Sequence, residues 1–210
     1  MMIGRRPKSF PALLSRHRIS LLCLLATVPW LAQGATIRIP DDYATTQKGM
    51  DAALVGDTVL VAPGTYTGDG NRPLFFNDKD IVLLGEAGAD ATIIDCELVD
   101  RAVVFEGNES RDAVLEGLTL LRGNGYGKAG VAVFGGSPRY EGCQISHNFA
   151  WGRAGGVWVE GGQVSFIVCK IEANTARHSS GGGIILANGN HELIRCEILD
   201  NVSISVEDEP

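Results

Sequence analysis

Apolar and polar positions in the second half of the chain recur in one register. Three segments align: Gly130-Val-Ala-Val with Cys143-Gln-Ile-Ser-His-Asn148, Gly156-Val-Trp-Val with Cys169-Lys-Ile-Glu-Ala-Asn174, and Gly183-Ile-Ile-Leu with Cys196-Glu-Ile-Leu-Asp-Asn201. The glycines, the cysteines, Ile145, Ile171 and Ile198, and the three asparagines are each spaced by 26 or 27 residues. Four residue types held in step over three copies mark a repeat architecture. Gly117-Leu118-Thr119-Leu120 fits one copy earlier, with Leu118 at the Cys position and Leu120 at the Ile position. Further upstream, Val103 to Phe105, Ile93-Ile94, Ile81 to Leu84 and Thr58 to Val61 are short apolar runs bounded by Gly, Asp and Asn, which predict strands. No sustained helical period follows residue 56.

Strands this short cannot each bury a face alone, but stacked as coils they share one core. The pattern predicts an all-β fold, a single-stranded right-handed parallel β-helix (solenoid) of about six or seven coils. Alternation in Cys-x-Ile turns both side chains inward. Cys143, Cys169 and Cys196 then form a ladder of free, buried thiols, because in-register Cβ atoms sit farther apart than a relaxed disulfide prefers. No His is placed to join that ladder, so no metal is expected there. Asn148, Asn174 and Asn201 fall where each coil turns, and stacked amides can bond to one another and to turn backbone.

An open β-helix needs an end cap. Tyr43 to Leu54 predicts a short N-terminal capping helix, with Asp41 or Asp42 near its start and Thr46, Met50 and Ala53 on one face. Lys48 and Gly49 make it a weak helix that packing must hold. At the other end the pattern calls for another Gly-Gly strand after Asn201, but the sequence reads Val202-Ser-Ile-Ser-Val. The segment is expected either to discourage edge pairing through its acids and proline or to reflect a truncated C-terminus.

The division expected is therefore a signal peptide over 1–34, an N-terminal strand and capping helix over 35–56, and the β-helix over 57–210. Arg5, Arg6, Lys8, Arg16 and Arg18 precede an apolar run from Ile19 to Leu31, followed by Ala32-Gln33-Gly34, the layout of a secretory leader. A twin-arginine route and a retained anchor are the alternatives. The run is short for a bilayer span, and no transmembrane span is expected in the mature chain. A secreted, periplasmic or cell-surface location follows.

The leader holds five of the 18 Lys and Arg and none of the 25 Asp and Glu, which leaves a formal charge of −12 on the rest. That balance disfavours nucleic acid and anionic membranes as partners. Against it, the turns after each Asn gather Tyr126, Lys128, Trp151, Arg153, Arg177 and His178, which stacking would place on one edge. Aromatic faces stack on sugar rings and Arg pairs with carboxylates, so an acidic polysaccharide or cell-surface glycan is the ligand class predicted.

Thr36-Ile-Arg-Ile-Pro-Asp-Asp-Tyr-Ala-Thr45, Gln47, Met50-Asp-Ala-Ala53 and Gly56-Asp-Thr-Val-Leu-Val-Ala-Pro-Gly-Thr-Tyr66 resemble the opening of bacterial secreted right-handed β-helix proteins of the pectin lyase-like superfamily. The repeats from Gly117 to Asn201 look like their later coils. Thr46, Lys48 and Gly49 depart from the usual opening helix. The repeats also look somewhat like those of polymorphic outer-membrane proteins, with Ile in place of Phe before each Asn. The resemblance implies either a glycan-binding, structural or adhesive module or a polysaccharide lyase or hydrolase, and the fold does not choose between them. No cofactor is expected, with Ca²⁺ entering only for a lyase. Asp95, Glu97, Asp100 and Glu106 form no recognised calcium motif, and Asp112 with Glu116 or Glu141 with Glu160 are carboxylate pairs without a favoured spacing. No nucleophile elbow is present. His147, His178 and His191 occupy different repeat offsets, which argues against a His metal site.

Overall fold

The computed structural model describes residues 34–127, 129–178 and 181–205. The signal peptide expected over 1–34 lies almost wholly outside these residues, as does Lys128. Over these residues the chain forms a parallel β-solenoid of about six turns, with one short helix among the described residues. Among the described residues no helix is long and apolar enough to cross a membrane.

Four parallel sheets make the walls. A seven-stranded sheet stacks Thr36–Ile39, Thr58–Val61, Val82–Gly85, Val114–Glu116, Arg139–Glu141, Ser165–Ile167 and Glu192–Ile194 in that order. A six-stranded sheet runs from Gly64–Tyr66 to Glu197–Leu199, and a five-stranded sheet from Leu74–Phe75 to Ile184–Ala187. The fourth sheet has Asn124–Gly127, Phe149–Gly152, Thr175–Arg177 and Val202–Ile204.

That fourth sheet corrects the sequence reading in two places. The segments after each Asn, read as turns, are strands, because the coil above and the coil below supply ladder partners that no local pattern reveals. Val202 to Ile204 does not interrupt the repeat either; it pairs with Thr175 to Arg177 in the same register as the strands before it.

Inside, Ile145 pairs with Leu120 and Ile171, and Ile171 with Ile198, so one inward column runs through four coils. Phe76, Phe105, Tyr140 and Phe166 add an aromatic column, with successive ring centroids 4.3, 5.9 and 4.7 Å apart. Each such fully buried side chain contributes roughly 1.5–3 kcal/mol. Burial runs out at the last coil, where Leu193, Ile194, Ile198, Leu199 and Val202 are exposed.

The corners are as regular as the walls. Gly117, Gly142, Val168 and Arg195 turn between the seven- and six-stranded sheets at φ 62, 57, 55 and 52. Arg122, His147, Ala173 and Asp200 make the next corner at φ 50, 55, 51 and 52. The left-handed residue swings the following side chain inward, which is why Leu118 and the three repeat cysteines follow the first corner, and Gly123 and the three asparagines the second.

The cap helix spans Thr46–Ala52, shorter than expected. Thr46, Met50 and Ala53 are buried, and a Cβ on Gly49 would lie 2.6 Å from Ile39 Cδ1, so the apparent weakness at that position is a packing requirement. Neither Asp41 nor Asp42 caps the helix; Asp42 accepts from the Arg38 backbone N–H instead. Asn71 Oδ1 accepts from the Thr46 N–H and Oγ1 at 2.9 and 3.0 Å. At the other terminus Lys79 Nζ donates to the carbonyls of Met50, Asp51 and Ala53. Both caps come from the following coil.

Candidate functional site: an aromatic and cationic face

The four-stranded sheet carries the candidate residues because its strands alternate. Gly125, Ala150 and Ala176 point inward and are buried. Trp151 and Arg177 at the alternate positions face outward and pair in direct register, and the backbone of Tyr126 pairs with that of Trp151.

Trp151 is 39% exposed and is the centre of the cluster. The His178 ring lies over it with centroids 5.5 Å apart and planes at 26°. The Arg177 guanidinium carbon is 5.2 Å from the indole centroid, a cation–π distance. Phe149 meets the same indole edge-on at 5.7 Å. Phe149 had no place in the sequence-level set, although two residues before Trp151 in a strand means the same face. His178 itself stands in the left-handed region, at φ 57, which turns its ring back over the sheet.

Arg153 does not join this group. Its guanidinium lies 4.0 Å from the centroid of Trp158, and it pairs with Glu160 at 3.5 Å. Trp158 faces outward from the five-stranded sheet, yet it is buried in a small second core with Ala129, Ala154, Phe134 and Ile185. Arg153 closes that core by laying its planar group on the indole. The outward position of Trp158 in Val-Trp-Val was the signal that Arg153 had a nearer partner than Trp151. Lys128 falls outside the described residues.

The asparagines of the ladder bind one another and the coil before them. Asn174 Oδ1 accepts from the Asn148 N–H and Nδ2, both at 2.9 Å, and Asn201 Oδ1 accepts likewise from Asn174 at 3.0 and 2.9 Å. Each Nδ2 also donates to a carbonyl of the coil before it, those of Leu120, Ile145 and Ile171. Such amides hold the corner and present nothing to a ligand. Cys96, Cys143, Cys169 and Cys196 are free thiols.

Several of the acidic residues are held in ion pairs on different walls. Arg122 makes a two-pronged ion pair with the buried Asp95. Burial raises the Asp95 carboxyl, but the Arg122 hydrogen bond and charge outweigh it and hold the group below the usual carboxylate range. Glu97 pairs with Arg72, Glu141 with Arg139, and Glu160 with Arg153. Glu141 and Glu160 thus sit on different sheets, each neutralised by its own arginine. Asp112 lines a shallow pocket with Asp80 and Arg139, a grouping the sequence did not suggest. His191 accepts from the Val164 N–H, away from His178.

No family model, no curated protein and no solved structure matches this chain.

Proposed function

We propose that the protein is a secreted or cell-surface β-solenoid module that binds an acidic glycan through the outer face of its four-stranded sheet. The observation that carries this reading is the in-register column of Tyr126, Trp151 and Arg177, with His178 stacked on Trp151. An exposed indole offers a flat apolar surface to a sugar ring, and the adjacent guanidinium offers paired donors to a uronate carboxylate. Arg177 stands on this face of a chain that is otherwise strongly acidic, and its charge favours an anionic ligand here. The likeness of the opening segment to pectin lyase-like proteins supports a carbohydrate ligand. The described carboxylates engaged with arginines or backbone favour a binding role over a hydrolytic one.

The test is titration calorimetry and tryptophan fluorescence with oligogalacturonate and oligoalginate, alongside a neutral cello-oligosaccharide. The acidic sugars should bind and quench, Trp151→Ala should abolish both signals, and Arg177→Ala should remove the preference for uronate. Absence of binding to either uronate series would overturn the proposal. Growth of unsaturated product at ~235 nm, lost with Arg177→Ala, would replace it with a lyase.

A further inference from the structure

The first and last described coils are finished differently. At the first, the helix Thr46–Ala52 lies over the core, and Ile39, Met50, Ala53 and Leu74 are buried. At the last, Ile184–Ala187, Glu192–Ile194, Glu197–Leu199 and Val202–Ile204 are each the outermost described strand of their sheet. Leu193 and Ile198 continue the inward columns of Phe166 and Ile171, yet they are 39% and 46% exposed. The asparagine ladder stops there as well. Asn148 and Asn174 each give their backbone N–H and an Nδ2 hydrogen to the Oδ1 of the next asparagine. Among the described residues Asn201 has no such acceptor, and its Nδ2 reaches only the Ile171 carbonyl.

The rim of this coil carries opposite charges at two corners. Arg195, at φ 52, leads into the strand Glu197–Leu199, and Asp200, also at φ 52, leads out of it. Neither makes an ion pair among the described residues.

We propose that two copies of the chain join end to end through this coil, about a twofold axis that crosses the six-stranded wall at Ile198. Rotation about that axis reverses the strand, so Ile198 meets Ile198 of the partner and the two corners change places. Arg195 of each copy then comes to Asp200 of the other, and the ion pair forms twice, as a self-complementary contact requires. The strand edges of that wall meet antiparallel, and the half-exposed Leu193 and Ile198 lose their water. A coil presented edge-on supplies roughly the 20–30 residues a side of a stable interface. A head-to-tail contact would meet the helix instead, so association closes at two and leaves no open edge.

Sedimentation velocity of the full chain should show a dimer that does not grow further as concentration rises. Arg195→Asp and Asp200→Arg each put like charges at both junctions and should weaken the dimer at least about tenfold. Both corners tolerate the exchange, since Arg122 and Asp200 already share this backbone geometry at φ 50 and 52. Circular dichroism checks that each variant folds. Mixing the two single variants should restore the dimer, because every junction of the mixed pair again joins opposite charges. A second reading needs no charge change: Ile198→Cys should cross-link two chains at that position on mild oxidation, as located by peptide mapping. A monomer throughout, which a cover formed by the chain's own residues would give, overturns the proposal. So do oligomers of increasing size, association through the apolar leader that both single variants leave unchanged, and single variants that stay apart when mixed.

Discussion

Gly130 and Asn148 occupy the same space on successive coils. A Cβ added to Gly130 would lie 2.6 Å from Asn148 Cβ, 2.6 Å from its Cγ and 2.7 Å from its Oδ1. The same fit recurs below, where Gly156 abuts Asn174 and Gly183 abuts Asn201. The two best-kept positions of the repeat are therefore one device. The amide reaches inward to bind the next coil, and the strand that passes beside it must lack a side chain. The glycine answers a close approach here, not a need for left-handed backbone.

This contact predicts non-additivity. Gly130→Ala should destabilise by about 2–4 kcal/mol through overpacking. Asn148→Gly should also cost about 2–4 kcal/mol, since it removes the amide's hydrogen bonds and leaves the Gly123 N–H without its acceptor. The double variant should be more stable than the sum of the two by at least about 1 kcal/mol, because the added methyl group needs the space that the asparagine side chain has left. Urea unfolding of the four proteins measures this directly, and strict additivity would mean that the two side chains do not compete.

Much of the solenoid could be read from the sequence, because stacking copies each residue onto its like. Cys143 above Cys169, Ile145 above Ile171 and Asn148 above Asn174 needed only a period and an alternation. What escaped was information carried between unlike coils. The fourth sheet was missed because Phe149-Ala-Trp and Thr175-Ala-Arg share no residue type beyond the inward Ala. The helix caps were missed because Asn71 and Lys79 stand about one coil later than the helix they serve. In the candidate face, Trp151 and Arg177 meet as their register requires and His178 stacks on the indole from beyond the strand end, whereas Arg153 is drawn off by Trp158, whose outward burial depends on tertiary cover.

Val168 is a β-branched residue at φ 55, in a column where its counterparts are Gly117, Gly142 and Arg195. It is 51% exposed, so little packing compensates the backbone cost of roughly 1–2 kcal/mol. Val168→Asn should raise stability by about 1 kcal/mol, since Asn tolerates this region and adds no flexibility to the unfolded chain as Gly would. A higher urea midpoint at unchanged slope is the expected result. A lower midpoint would show that the half-buried isopropyl group outweighs the strain.

Asp95 links stability to acidity. Its folded carboxyl is held below the unfolded value of ~3.9, so it favours the folded state at all pH above that value. The contribution fades as pH falls through the depressed folded value. Replacing Arg122 by Leu removes the hydrogen bonds and the charge but leaves the burial. The carboxyl should then titrate above the ordinary range, and stability at pH 7 should fall more than stability at pH 3. Carboxyl carbon NMR shifts read the first effect and urea unfolding at the two pH values the second. An Asp95 that titrates unchanged in Arg122→Leu would remove the ion pair as the cause.

The cap helix tests how far a seven-residue segment depends on its neighbours. Isolated helices of this length do not form in water, and Thr45 provides no side-chain cap. Asn71→Ala removes the acceptor for the Thr46 N–H and hydroxyl, and with it the amide donor to the Thr67 carbonyl. A cost of about 1–2 kcal/mol is expected, as for loss of a local N-cap. Its distinctive mark is location. Amide exchange should quicken in Gly49 to Ala53, whose bonds close the helix, and in the strand Thr36–Ile39 beneath it, while Ile145 and Ile171 stay protected. Uniform quickening through all coils would instead mean that the cap and the solenoid unfold as one unit, and that Asn71 stabilises the whole column and not its end.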